Sequence, residues 1–263
     1  MTRQILAAVT LFLVFIEVLP AQTETGEKKN RVIVMGMIHS NHLKSQQYDL
    51  EKVRNLIRKI NPDAVFCEIP PDRIDKANQQ YKENGKITES RVRVFPEYVD
   101  VLYPLTKEMD FEMYACAGWT KEMADARRKK LQELIKSHKS QYEEMIKGQK
   151  GIDETVKKKG GSDNPELIHS DEYDEIVKKG LVPYDKHFNE LLGAGGWTNI
   201  NKAHYDLVDK NLNKLSGQGK TILIMFGAWH KYWFKEQLRK RSDIELINLN
   251  KYLKDLSGSK SEG

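Results

Sequence analysis

A chain of 263 residues with 43 Lys and Arg against 38 Asp and Glu carries a formal net charge of +5, a mild basic bias in a sequence that is 31% charged. That balance excludes the concentrated positive face of a nucleic-acid binder, and the basic runs 127–130 and 157–159 read as solvated helix faces. Two cysteines, Cys67 and Cys116, exclude a disulfide-stapled scaffold, so the fold rests on the core that a chain of this length can bury.

Residues 1–21 read as a secretory signal peptide. Arg3 supplies the positive start, an apolar run follows from Ile5 to Leu19, and Ala21 offers a small residue before Gln22. About 15 apolar positions fall short of a bilayer, so the segment is too short to span. Its removal leaves the net charge unchanged, because Arg3 and Glu17 cancel. The expected location is secreted or periplasmic, or membrane-anchored if the segment is retained. No span is expected in the mature chain. Residues 22–30 form a polar, flexible lead-in, and 257–263 a disordered tail.

Five apolar runs of strand length follow, at 31–36, 64–69, 111–116, 221–226 and 244–249. They are continuous rather than alternating, as strands covered on both faces are. Leu50, Val53, Leu56, Ile57 and Ile60 repeat at helical spacing, and Asn61-Pro62-Asp63 ends that helix. Leu131, Leu134, Ile135, His138, Tyr142, Met145 and Ile146 trace one face of a long amphipathic helix. Residues 147–164, rich in Gly and Lys, read as a mobile loop, and Gly193-Ala194-Gly195-Gly196 as a tight turn. Ala203, Leu207, Val208 and Leu212 mark a further helix that Gly217-Gln218-Gly219 closes, and 229–238 reads as the last one before the fifth strand. This alternation predicts an α/β fold: an open, mostly parallel sheet flanked by helices in one domain over 31–256. A helical insertion of about 118–219 lies between the third and fourth strands.

In such sheets ligands bind beyond the carboxyl ends of the strands, where the chemistry-bearing residues of this chain fall. Gly36-Met37-Ile38-His39 follows the first strand and Gly227-Ala228-Trp229-His230 the fourth, the same strand–Gly-x-x-His grammar nearly 200 residues apart. Glycine, lacking a Cβ, lets the chain turn off the strand so that each imidazole folds back over the sheet edge. Glu68 ends the second strand, where a carboxylate is costly unless paired. Its candidate partners are the two histidines and Arg73, with Pro70 and Pro71 stiffening the turn between. One carboxylate and two histidines, Glu68, His39 and His230, suit a divalent metal (Zn, Mn or Co). The same set without metal suits general-base attack by water. A buried Glu68–Arg73 salt bridge that pins the loop is the plainer alternative.

Other polar and aromatic groups near the strand ends have simpler roles open to them. His42 reads as a solvent-facing loop histidine in preference to a further ligand. His204 divides evenly between the cleft and an exposed helix face. Glu97, Tyr98 and Asp100 read as helix surface in preference to polar groups near the second strand's end. Asn248 and Asn250 follow the fifth strand. Trp119, Trp197, Trp229, Tyr232 and Trp233 suit an aromatic pocket or the core equally. Cys67 reads as a buried small hydrophobe, and Cys116, at the third strand's carboxyl end, is the better candidate nucleophile.

The paired Gly-x-x-His strings with an intervening Glu-x4-Arg resemble the TraB/Tiki-type proteins and their erythromycin-esterase and ChaN-like relatives, over residues 31–73 and 221–234. The resemblance implies a hydrolase of peptide or small-molecule ester and amide bonds. Metal-dependent proteolysis is described for Tiki, histidine–glutamate lactone hydrolysis for the esterases, and haem binding, the non-catalytic alternative, for the ChaN-like group. By that resemblance His39, Glu68 and His230 form the active set, as catalytic groups or metal ligands, and Arg73 supports Glu68. Related motifs often read Gly-Thr-x-His and Gly-Ala-Gly-His, so Trp229 stands here where a small residue is usual and narrows the pocket.

Overall fold

The computed structural model describes residues 28–258. The predicted signal segment, most of the lead-in and the last residues of the predicted tail lie outside the described residues. In chain order the elements are β1 (Asn30–Met37), α1 (Leu50–Ile60), β2 (Ala64–Cys67), α2 (Pro71–Asn84), a π-helical turn (Glu97–Leu102) running into the short α3 (Tyr103–Leu105), and β3 (Glu112–Ala115). Then come α4 (Lys121–Ser137), α5 (Lys139–Lys158), α6 (Pro165–Ile168), α7 (Asp171–Phe188) and α8 (Trp197–Lys214). The chain ends with β4 (Thr221–Gly227), α9 (Lys231–Leu238), β5 (Ile244–Ile247) and α10 (Asn250–Gly258).

All five strands are parallel, in the order β3-β2-β4-β1-β5, so the predicted α/β architecture is the observed one. The continuous apolar runs have the expected cause: successive side chains point to opposite faces and both faces are covered. Ile33, Met35, Met37, Val65, Cys67, Leu223 and Met225 pack on one side with α1 and with α5 and α7. Val32, Val34, Phe66, Ile222, Ile224 and Phe226 pack on the other against Val208 and Leu212 of α8 and Phe234 and Leu238 of α9. Asp49 caps α1 by accepting from Lys52 N at 2.8 Å, and Asn61 ends it in the left-handed region at φ +47.

Between β3 and β4 the chain is helical, with two departures from expectation. The long amphipathic helix is interrupted at His138 (φ −129, ψ 49), a break that no glycine or proline marks. Most of the predicted loop 147–164 is the second half of α5. Its glycines serve packing: a Cβ on Gly148 would stand 2.3 Å from Gly180 O, and one on Gly180 would stand 2.2 Å from Ile152 Cγ1. Two helices, α5 and α7, therefore touch backbone to backbone. The predicted turns at 193–196 and 217–219 are observed, with Gly193, Gly217 and Gly219 at positive φ. Among the described residues no helix is long and apolar enough to cross a membrane.

Candidate functional site

Strands β1 and β4 are neighbours, paired Gly36↔Phe226 and Met37↔Gly227, so both Gly-x-x-His strings leave the sheet side by side at its carboxyl edge. Neither glycine has positive φ; the residue that makes the turn is His39, at φ +52. The glycines permit close approach instead. A Cβ on Gly36 would sit 3.1 Å from Ala228, and one on Gly227 would sit 2.8 Å from His39 Nε2.

His39 opens a 3-10 turn (His39–Leu43), and its Nδ1 lies 2.7 Å from Glu97 Oε1. Glu97 is fully buried and its Oε2 has no partner among the described residues, so the hydrogen bond with that imidazole carries its carboxyl group. The other ring nitrogen, Nε2, faces Glu68 Oε2 at 3.9 Å. Burial pulls His39 down, but the hydrogen bond to Glu97 and the charges of Glu68 and Glu97 hold it above the ordinary histidine value. Glu68 Oε2 accepts from Gly227 N at 2.8 Å. Burial lifts its carboxyl above the ordinary range, against the opposing effects of His39 and the Gly227 N–H. Tyr98, next to Glu97 on the π-helical turn, accepts from Glu68 N at 2.9 Å and donates to Met225 O at 2.7 Å. That one-turn insertion thus supplies both Glu97 and the hydroxyl that ties β2 to β4, a usual role for such turns.

His230 follows β4 on a 3-10 turn and stacks on Trp197, with ring centroids 4.7 Å apart and 18° between planes. Its Nδ1 donates to Asn201 Oδ1 at 2.7 Å, an orientation fixed because Asn201 Nδ2 donates to Trp197 O. The lone pair is therefore on Nε2. His204 of α8 is buried, its ring 5.1 Å from that of His230. Its Nδ1 accepts from Gly118 N at 2.9 Å, so in the neutral ring Nε2 carries the hydrogen. Burial holds His204 down to about 4; burial and the nearby His204 and His39 hold His230 well below its ordinary value. Both rings are neutral at pH 7, one offering a lone pair and the other a donor.

The expected metal set was His39, Glu68 and His230. The ligand atoms that converge, within 4.8 Å of one another, belong to Glu68, His230 and His204. A metal needs a lone pair from each ligand. Glu68 and His230 provide one, but the lone pair on His204 Nδ1 is engaged by Gly118 N–H. The donor set fits a cation at two of three positions and does not fit a closed three-ligand site.

Several expected roles change. Arg73 does not pair with Glu68: Pro71 starts α2 instead of stiffening a turn, and Arg73 in the first turn of that helix pairs with Asp72 at 3.0 Å and Glu89 at 3.8 Å. His42 is buried, not solvent-facing. It accepts from Ile38 N at 3.1 Å and its Nδ1 donates to Tyr48 O at 2.6 Å, clamping the turn that carries His39. His169, which the sequence did not single out, accepts from Gly36 N at 3.0 Å. Cys116 is no nucleophile: it is fully buried in the core, its thiol pushed up to about 12 by desolvation. Cys67 is likewise buried, as expected. Glu97 and Tyr98 are not helix surface, and Asn248 lines a separate cavity beside Lys231. Asn201 carried no sequence signal.

Two lobes open on the site. One, of about 380 Å³, is lined by His39, Asn41, Ile152, Val156 and Tyr173. The other, of about 300 Å³, is lined by Glu68, Trp119, Arg127, Tyr184, Ile200 and His204. Trp197, Trp229 and His230 line both. The aromatic pocket is thus built from Trp119, Trp197 and Trp229, with Tyr232 behind it, its hydroxyl accepting from Trp197 Nε1 at 2.8 Å. Searches of known protein families, of curated proteins and of solved structures find nothing that matches this chain.

Proposed function

We propose that this chain is a hydrolase of the TraB/Tiki/erythromycin-esterase type, cleaving ester or amide bonds with a metal-free histidine base. The observation that carries the reading is His39 itself: a non-glycine residue held in left-handed backbone, bound at Nδ1 by buried Glu97, with Nε2 turned toward Glu68. Neutral His39 takes the proton from an attacking water, and Glu97 stabilises the imidazolium that forms. Glu68, its carboxyl lifted by burial, returns a proton to the leaving group. The two titrate as a coupled pair. His204 Nε2–H is a donor for the developing oxyanion, and the free Nε2 of His230 accepts from the water. The N-terminal segment supports export to a secreted or periplasmic location.

The test is hydrolysis of a panel of p-nitrophenyl esters and fluorogenic peptide amides, with and without chelator, beside a haem titration. Turnover should survive chelation and fall by roughly 10²- to 10⁴-fold in His39→Ala and Glu68→Gln. Turnover abolished by chelator and restored by Zn, Mn or Co would replace the bare base with a metal. A Soret band on haem addition, with the whole panel uncleaved, would overturn the enzyme reading in favour of haem binding.

A further inference from the structure

The lobe on the Glu68 side has a feature that water activation does not use. Arg127, on α4, reaches it with its charge unneutralised: among the described residues no carboxylate pairs with the guanidinium. Its Nε donates to Tyr184 OH at 2.9 Å, and the guanidinium carbon lies 5.6 Å from the centroid of the Tyr184 ring. Tyr184 OH in turn donates to Gly195 O at 3.2 Å. The aliphatic stem of Arg127 lies on Gly195, where a Cβ would stand 2.7 Å from Arg127 Cβ. Stem, Nε and ring face are all held, while the two terminal nitrogens have no partner among the described residues. That is a pre-organised fork, the geometry that recognises a carboxylate through two parallel hydrogen bonds. Trp119, Leu181, Tyr184 and Ile200 give the same lobe an apolar wall, and its one acid, Glu68, is already bonded to Gly227 N.

We propose that Arg127 is a carboxylate receptor, so that the preferred substrate carries an apolar or aromatic body ending in a carboxylate on the side of the scissile bond that enters this lobe. The inference rests on the hydrolase reading for the word substrate, but the receptor is a binding site in its own right.

Two measurements on the full chain keep the two claims apart. The first compares matched chromogenic esters and amides that differ only in a terminal carboxylate or carboxamide. The carboxylate member should have a KM roughly tenfold lower, the size of one charge-assisted pair. Arg127→Gln, which keeps the stem on Gly195, should abolish that preference by raising KM for the acid far more than KM for the carboxamide. Arg127→Lys should restore part of it. The second titrates benzoate, with benzamide as the neutral control, against tryptophan fluorescence, since Trp119, Trp197 and Trp229 line the lobe. Benzoate binding that Arg127→Gln removes, with no hydrolysis of any substrate, would sustain the receptor and sink the hydrolase. Hydrolysis dependent on His39 with no carboxylate preference, or a preference that survives in Arg127→Gln, would overturn the receptor alone.

Discussion

His39 holds a conformation that costs a non-glycine residue on the order of 1–3 kcal/mol, and three contacts keep it there: Glu97 at Nδ1, the Phe95 ring 5.0 Å away, and the space that Gly227 leaves beside Nε2. The consequence is a base with a fixed tautomer and a raised proton affinity. On the proposed mechanism His39 works in its neutral form, so kcat/KM should climb with pH through a limb lying above the ordinary histidine value of 6.5. In Glu97→Gln the supporting charge is gone and burial dominates, so the limb should move to lower pH while kcat falls. A limb that stayed in place would mean that Glu97 only packs. The sequence displayed His39, Glu68 and His230 because each ends a strand, and strand ends can be read from apolar runs. Asn201 was illegible, and Glu97 and His204 could be read only as one alternative of two, because they arrive from a π-helical turn and from the insertion, whose approach to the edge no local pattern records. Arg127 was hidden for a related reason: in a basic run it looks like its exposed neighbours, and only its contacts with Tyr184 and Gly195 distinguish it.

At the scale of elements, glycine carried two meanings that sequence cannot separate. In Gly217-Gln218-Gly219 it marks a turn, but at Gly148 and Gly180 it marks contact between α5 and α7. The distinction is measurable within one helix. Gly148→Ala should force the helices apart, lowering stability by roughly 1–3 kcal/mol, read as a drop in Tm. It should also raise KM, because Ile152 and Val156 of the same helix line the lobe at His39. Gly151→Ala, three residues on, meets nothing within 4 Å and should stabilise α5 by up to about 1 kcal/mol through helix propensity alone. Equal effects from the two would show that the loop reading of 147–164 was nearer the solution state. The break at His138 was missed because the apolar spacing continues through it.

Across the whole molecule, buried neutral imidazoles stitch the carboxyl-edge loops: His42 to Ile38, His169 to Gly36, His204 to Gly118. Burial holds His169 down to about 3 and His204 down to about 4. In the unfolded chain these rings take a proton near 6.5, so between that pH and the folded values the unfolded state binds more protons and stability falls as pH falls. For His204 the loss is on the order of 3 kcal/mol by pH 4. His39, with its raised value, has the opposite sign: its contribution is present below 6.5 and is lost as pH rises through its folded value. The urea midpoint should therefore drop between pH 7 and 4.5, less steeply in His204→Gln; a flat profile would contradict buried neutral rings.

The pairing of β1 with β4 has a further consequence in time. The first strand and His39 leave the ribosome about 190 residues before Gly227 and His230, and contacts so distant in sequence form late in folding. Glu97 and Phe95 can reach His39 early, but Gly227 cannot take its place beside Nε2, nor the two lobes close, until His230 has been made. A chain that lacks β4 therefore has neither Gly227 nor His230 in place, and on the proposed mechanism the onset of turnover during refolding should coincide with the last cooperative step.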